Sequence, residues 1–289
     1  MLTEKRTLDE IKVRYILESD LRDIYVEGNA DVDFLKYAGE IFGWDEIVIY
    51  SADVIDIPVK DLENAGLTSG NKQKVMFLAG QFETLDENMA FPVCIIDRDD
   101  DFLFNPTDFT RLLRTDYANM NAYMHQNGPF RRTMIYTLSI EPSTAELIYS
   151  KMLEVLKFAF VMRATKRKLG GNGLFTSIVN SCLITKNDIQ LDRESAIKKF
   201  IQISQIKQDN QVIRETIEEI ENEIECFHPL ITYNSHDFDE MMEKFINKSV
   251  DGIKASRGKA LSRIFTTSVR KEDIDRKNLF INLNRLNSQ

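Results

Sequence analysis

The sequence has few of the residues that build disulfide frameworks, zinc sites or histidine-dependent active sites. Its 289 residues include only three cysteines and three histidines. The cysteines are far apart and odd in number, which favours buried free thiols over disulfides or zinc ligands. The histidines form no closely spaced pair, so neither a zinc centre nor a histidine-based triad is supported. These residues are Cys94, Cys182, Cys226, His125, His228 and His236.

Long apolar runs are also missing from the sequence. No run approaches the roughly 18 residues that a membrane-spanning helix needs, and residues 1–6 lack the apolar segment of a signal peptide. We therefore expect a cytoplasmic protein. With only 6 prolines and 12 glycines, long disordered linkers are not expected. The length suits one α/β domain and a second lobe.

Charge is unevenly distributed along the chain, whose net charge is −9. From Lys244 onward, eleven basic residues stand against four acidic ones, so this region carries +7 and the preceding region −16. The asymmetry indicates a polyanionic partner for the C-terminal region. A solvated basic helix explains the same charges equally well. The candidates for binding backbone phosphate are Lys254, Arg257, Lys259 and Arg263.

Two apolar, strand-like segments each end in acidic residues. Residues 24–26 run into Glu27, and residues 93–96 run into Asp97 and Asp99. The carboxyl ends of strands form the edge at which open α/β sheets place their sites. Carboxylates brought together there repel by roughly 4 kcal/mol per pair at an effective dielectric of about 20, so a cation is needed among them. The sequence therefore predicts a divalent metal site.

Magnesium suits this ligand set because it takes hard oxygen ligands and keeps several of its waters. In an extended segment residues i and i+2 point the same way, which predicts that Asp97 and Asp99 share a metal face while Arg98 turns aside. We expect Gly28 to allow a sharp turn and to leave room for a phosphate beside Glu27. One or two such ions would support phosphodiester cleavage without a side-chain nucleophile.

Other classes of protein use similar acidic patterns. An aspartyl-phosphate hydrolase carries Asp-x-Asp on its first strand and Thr or Val two residues later, where this chain has Asp101. A calcium loop needs glycine where Phe102 stands, and a helix where residues 93–96 are strand-like. A receiver domain needs a later lysine at a strand end, and none is evident. A charged sheet edge without catalytic chemistry stays open as an alternative.

Periodicity predicts an α/β fold for the first half of the chain. Apolar strands alternate with amphipathic helices, which indicates a parallel sheet covered on both faces. Residues 107–124 are expected to be helical, and Met134–Leu138 to form a fourth strand that runs into Glu141. The predicted strands are 24–26, 47–50, 93–96 and 134–138, and the predicted helices of this half include 7–18, one ending at Gly43 and one containing 75–82.

The second half of the chain has helical periodicity throughout. A seam of isoleucines at positions 213, 217, 220 and 224 marks the buried face of one of these helices. The simplest domain boundary is therefore Pro142, which gives an α/β domain over 1–142 and a helical domain over 143–289. The predicted helices are 143–169, 174–183, 194–207 and 210–225.

The acidic motifs resemble those of a known family. The segments YVEGNAD at 25–31 and IDRDDDF at 96–102 resemble the TOPRIM domain shared by topoisomerases, primases and OLD-type nucleases. The segments SIEPS at 139–143 and SRGKALSRIF at 256–265 extend the resemblance to stand-alone TOPRIM nucleases of the OLD-like group, the AriB type of the PARIS anti-phage systems.

The resemblance implies a TOPRIM domain with a mostly parallel four-stranded sheet flanked by helices, followed by a mainly helical lobe for substrate, dimer and partner contacts. It implies that Glu27, Asp97 and Asp99 are catalytic and bind Mg²⁺ or Mn²⁺, with Asp101 and Glu141 as additional ligands. Arg98 is expected to contact phosphate or to form a salt bridge. The cation that steadies the leaving group has no candidate.

The function that this resemblance implies is a Mg²⁺-dependent endoribonuclease effector of an antiviral, toxin-like defence system acting by abortive infection. Such an effector is held inactive by an ABC/SMC-like ATPase partner of the AriA type. Once released it acts as a homodimer and cleaves host tRNA. One alternative is an OLD-type DNA nickase, which shares the metal site. Another is a non-catalytic module whose acidic edge and Glu215–Glu225 helix bind a basic partner.

Overall fold

The computed structural model describes residues 5–85, 89–99, 101–103, 108–173, 177–250 and 259–288. The chain divides into two compact units. The first is formed by Met1–Met120 together with Arg270–Gln289, and the second by Asn121–Val269. The C-terminal segment thus belongs with the α/β part of the chain, whereas the sequence pattern suggested one boundary at Pro142.

About 60% of the structure is helical. The strands are β1 (Arg6–Thr7), β2 (Arg22–Val26), β3 (Ile47–Ser51), β4 (Ile55–Asp56), β5 (Val93–Ile96), β6 (Leu112–Arg114), β7 (Cys182–Ile184) and β8 (Ile189–Leu191). The helices are α1 (Leu8–Leu17), α2 (Asn29–Phe42), α3 (Val59–Asn64), α4 (Asn71–Phe82), α5 (Asn121–Met124), α6 (Asn127–Arg132), α7 (Pro142–Lys168), α8 (Arg193–Ile203), α9 (Asn210–Glu223), α10 (Ser235–Ser249), α11 (Lys259–Thr267), α12 (Lys271–Ile274) and α13 (Asn278–Asn287).

The first unit is an α/β fold built on a four-stranded, all-parallel sheet with helices on its flanks. The strand order is β3-β2-β5-β6, so β2 and β5 are the two central strands. β5 is apolar and buried throughout, and β2 is apolar and buried from Ile24 to Val26, as expected for a parallel sheet covered on both faces. The predicted parallel sheet, and the adjacency of its two acid-ending strands, are confirmed.

Local signals set the ends of the helices beside the sheet. Thr7 and Glu10 form a capping box that starts α1, which satisfies amide groups that the first turn leaves without partners. Gly43 ends α2 in the left-handed conformation, with φ +69°, a position that glycine occupies at little cost. The helix predicted to end at Gly43 is therefore confirmed.

Two predictions between residues 107 and 138 are wrong. Residues 112–114 form β6 within the segment expected to be a helix, and they pair in parallel with β5. The segment expected to be the fourth strand is instead a π-helical turn, Thr133–Thr137. Its buried residues Met134 and Leu138 are four apart while Tyr136 is 78% exposed, which is helical spacing. The strand β6 was missed because its three residues are too few to show the alternation that identifies a strand.

The second unit is mainly helical, but it also contains an antiparallel pair of short strands, β7 and β8. The prediction of uninterrupted helix there is wrong at these strands. Part of the predicted helix 174–183, residues 174–176, lies outside the described residues. The isoleucine seam of α9 is confirmed, since Ile213, Ile217, Ile220 and Ile224 are all buried.

The three cysteines are free, with Cys94 buried, Cys182 half-buried and Cys226 exposed. The prediction of free thiols is confirmed, whereas the prediction that all three are buried is wrong. None of the helices in the described part of the chain combines the length and apolar character that crossing a bilayer requires.

A buried histidine lies in the aromatic core of the second unit. The ring of His125 stacks on Phe238, with centroids 3.9 Å apart, and meets the edge of Phe265. Its Nδ1 shares a hydrogen bond with the Tyr233 hydroxyl, and its Nε2 has no hydrogen-bond partner among the described residues. Burial lowers the pKa of His125 to about 3, so the folded protein keeps this ring neutral.

We predict that His125 makes the second unit less stable in mild acid. The folded pKa lies below the unfolded value of 6.5, so the stability that the neutral ring allows is present above pH 6.5 and is lost as pH falls towards 3. The loss should be about 1.4 kcal/mol per pH unit, or roughly 2 kcal/mol at pH 5. Urea unfolding at pH 7 and pH 5 measures this loss of stability.

His125→Asn should lose this pH dependence, whereas His236→Gln, at an exposed position, should retain it. An unchanged pH dependence in His125→Asn would contradict the prediction.

Candidate metal centre

The parallel pairing of β2 with β5 brings together the acidic residues that follow these two strands. Ile24 and Tyr25 are in register with Val93 and Cys94, so the strands end close together at the carboxyl edge of the sheet. The backbone N–H of Asp97 donates a 2.8 Å hydrogen bond to Oε1 of Glu27. The predicted convergence of Glu27 with Asp97 is therefore present in the structure.

The segment that follows Asp97 is a turn rather than an extended strand. The N–H of Met120 donates to Oδ1 of Asp97 at 2.9 Å, and the N–H of Asp99 donates to the Ala118 carbonyl at 2.7 Å. Asp99 has φ +48°, a left-handed conformation that non-glycine residues rarely adopt. The prediction of an extended segment from Asp97 to Asp99 is wrong, because Asp99 itself adopts a left-handed conformation at the start of a turn.

Gly28 and Asp31 form the start of α2 beside Glu27. The Gly28 N–H donates to Oδ2 of Asp31 at 3.0 Å, which places a second half-buried carboxylate next to the strand end. Gly28 itself is extended, with φ −150°, so the sharp turn expected of it is absent. A Cβ added there would meet only the Asp31 carboxylate, at 3.8 Å, an ordinary contact. The backbone therefore does not require glycine at this position.

Burial and mutual repulsion weaken the acidity of these carboxyl groups. Burial is the main cause that raises the pKa of Glu27 to about 7, with the Asp99 and Asp31 charges adding to it. The Asp97 N–H and the Lys72 ammonium oppose the rise. Burial, followed by the Glu27, Asp31 and Asp99 charges, raises the pKa of Asp97 well above its usual range. Burial likewise raises the pKa of Asp31 to about 6.

Lys72, in the first turn of α4, is the cation nearest to the later acids of the motif. Its Nζ lies 2.9 Å from Oδ2 of Asp99 and 3.0 Å from Oδ1 of Asp101. Asp101 also lies 3.7 Å from Nε of Arg114. Sequence reasoning missed both cations because neither is near the motif in the chain. A signal was present in α4, whose first turn carries lysine and no acidic residue, the reverse of the usual preference.

Within the described ranges, no group of three or more His, Cys, Asp or Glu side chains is arranged as it stands to hold a metal ion. Glu27 and Asp97 accept hydrogen bonds from backbone N–H groups, while Asp99 and Asp101 bind Lys72. The chemistry of these donors nevertheless suits a hard divalent cation, since carboxylate oxygens are its preferred ligands and it would neutralise Glu27 and Asp97, whose pKa values burial and repulsion have raised. Glu27, Asp97 and Asp99 are the residues that could hold it.

The remaining predicted site residues are spread over both units. The Arg98 guanidinium donates to the Thr115 carbonyl at 3.2 Å. Glu141 lies in the second unit, exposed, at the residue that precedes α7, so it is not among the carboxylates that the first unit brings together. Arg263 is exposed on α11. Lys259 begins α11, and Lys254 and Arg257 lie outside the described residues.

The acidic helix α9 is the helix that the alternative of a non-catalytic module would use to bind a basic partner. Some of its acidic side chains form ion pairs within their own unit. Glu219 pairs with Lys168 at 2.9 Å, and Glu221 pairs with Arg193 at 2.8 Å. Its apolar side is buried in the same unit. These contacts favour an ordinary packed helix with a charged outer face over a surface reserved for a basic partner.

Searches against known protein families and against curated proteins found no match to this chain. A function for this chain therefore has to be inferred from the geometry of Glu27, Asp97 and Asp99 and from the sequence motifs that contain them.

We predict that Glu27→Gln stabilises the metal-free protein at alkaline pH. The folded pKa of about 7 exceeds the ordinary value of 4.5, so the stability linked to this group is fully present below pH 4.5 and is lost as pH rises through 7. Gln retains an oxygen that can accept from the Asp97 N–H but has no charge. A gain of about 1–3 kcal/mol at pH 8, absent near pH 4.5, is expected.

Urea unfolding in a chelator at both pH values measures this gain. Asp33→Asn is the matched control, because Asp33 is exposed on the same helix as Asp31 and should change stability by less than about 0.5 kcal/mol. Equal stability of wild type and Glu27→Gln at pH 8 would show that folding does not raise the pKa of Glu27, which would contradict the prediction.

Proposed function

We propose that this chain is a Mg²⁺-dependent nuclease of the TOPRIM type. The observation that carries the proposal is the hydrogen bond from the Asp97 N–H to the Glu27 carboxylate, 2.8 Å long. It joins the acidic ends of two adjacent parallel strands at the carboxyl edge of the sheet, where α/β folds hold their ligands. The Glu and Asp-x-Asp motifs of the sequence supply the carboxylates.

Glu27, Asp97 and Asp99 would hold the ion, which, when bound, would activate water and neutralise the phosphoryl oxygens of a phosphodiester. The chain's own groups position these ligands. The N–H groups of Asp97 and Met120 orient the Glu27 and Asp97 carboxylates. Because burial raises the pKa of Glu27 to about 7 in the absence of an ion, binding of the ion near neutral pH would displace a proton from this carboxyl group.

The substrate and biological role that we propose come from the motif resemblance. The chain would cleave host tRNA as the effector of an AriB-type anti-phage system, held inactive by an AriA-like ATPase and active as a homodimer. The exposed Arg263 on α11 supports a nucleic-acid contact in the helical unit, since exposed arginine binds phosphate well. An OLD-type DNA nickase is the alternative, and it would use the same carboxylates.

We predict that Glu27→Gln and Asp97→Asn each reduce Mg²⁺-dependent cleavage by at least about 100-fold, because each removes one charge from the proposed ion site. Cleavage of tRNA and of supercoiled plasmid, assayed in parallel by gel, measures the loss and separates the two substrates. Asp33→Asn, which changes an exposed residue of α2, should cleave at the wild-type rate.

Two results would contradict the nuclease proposal. One is wild-type cleavage that persists in excess EDTA, which would exclude the metal. The other is full activity of Glu27→Gln in a preparation whose circular dichroism matches the wild type. Cleavage of plasmid alone would retain the metal-dependent mechanism and replace tRNA with DNA as the substrate.

A further inference from the structure

Lys72 is held beside the cluster of acidic side chains by an unusual combination of contacts. It lies in the first turn of α4, shortly after Gly70, whose φ of +143° is a conformation that favours glycine. Its side chain is only 17% exposed, and its Nζ bridges Asp99 and Asp101 at 2.9 and 3.0 Å. The ammonium group thus occupies a position between two acidic side chains.

Two effects oppose a charged lysine at this position. The N-terminal turn of a helix carries partial positive charge and repels a cation, and burial disfavours the ammonium form. Asp99 and Asp101 offset both effects, because each accepts a hydrogen bond from the Lys72 ammonium group. The two aspartates therefore hold Lys72 in place as a charged group.

Lys72 already pairs with Asp99, which is one of the three residues that could hold a metal ion. A divalent cation bound by Glu27, Asp97 and Asp99 would supply twice the positive charge to the same acids. Lys72 and the metal are therefore alternative sources of positive charge for one set of acids.

Resting on the nuclease function proposed above, we propose that Lys72 is a built-in competitor of the metal ion. In the metal-free protein it neutralises Asp99 and Asp101. Metal binding requires Lys72 to release Asp99, while Asp101 retains it. Metal binding therefore breaks the Lys72–Asp99 ion pair and leaves the Lys72–Asp101 ion pair in place. By thermodynamic linkage, the metal weakens the Lys72–Asp99 contact as much as that contact weakens metal binding.

Calorimetric titration with Mn²⁺ tests this competition, with binding as the readout rather than cleavage. Lys72→Met should bind Mn²⁺ more tightly than wild type by about tenfold or more. Lys72→Gln, which keeps a hydrogen-bond donor without the charge, should show the same direction and covers the case in which the Met variant does not fold. The matched control is Lys74→Met, which removes the same charge from the same helix. Lys74 pairs with Asp53, at 3.9 Å, and not with the acids of the site, so the Mn²⁺ affinity of this variant should stay close to that of the wild type.

The outcomes separate this inference from the nuclease proposal. Tighter binding in both Lys72 variants and not in Lys74→Met supports the competition. Unchanged or weaker binding in folded Lys72 variants, with wild type binding Mn²⁺, overturns the competition and leaves the metal site standing. Equal tightening in Lys74→Met also overturns it, because a general charge effect would then suffice. Absence of Mn²⁺ binding in every variant and in wild type overturns the metal site itself, and the competition with it.

Discussion

The hydrogen bond between the Asp97 N–H and the Glu27 carboxylate exists only because β2 and β5 are adjacent and parallel. β5 and the Ile24–Val26 part of β2 are apolar and buried, so hydrophobic burial fixes the register that brings the acidic ends of the two strands together. The segment that follows β6 adds two contacts at this edge, from the Met120 N–H to Asp97 and from the Asp99 N–H to the Ala118 carbonyl.

This arrangement concentrates negative charge in a poorly solvated place, which is costly to the folded protein. Backbone N–H donors and the Lys72 ammonium offset part of that cost, yet the pKa of Glu27 still rises to about 7. Groups kept in such unfavourable states are characteristic of sites selected for function over stability. A bound cation would relieve the repulsion, which is the physical reason to expect one here.

Sequence patterns predicted the parts of the site that lie on well-defined elements. Glu27 and Asp97 follow strands whose apolar runs are unambiguous, so their convergence could be inferred. The pairing of Lys72 with these acids could not be inferred, because the tertiary position of α4 brings it there; the unusual lysine in the first turn of α4 was the only local signal. The fourth strand was misplaced because β6 has three residues and is specified by pairing with β5 rather than by local periodicity. The return of residues 270–289 to the first unit likewise depends on long-range packing.

The central claim is that Glu27, Asp97 and Asp99 bind one divalent cation. Anomalous diffraction from crystals soaked in Mn²⁺ tests it most directly, because the ion itself scatters and no activity is assumed. A peak in contact with oxygens of Glu27, Asp97 and Asp99, with Lys72 moved off Asp99, is the predicted result. Crystals saturated with Mn²⁺ that show no peak there, with Lys72 still bridging Asp99 and Asp101, would contradict the claim.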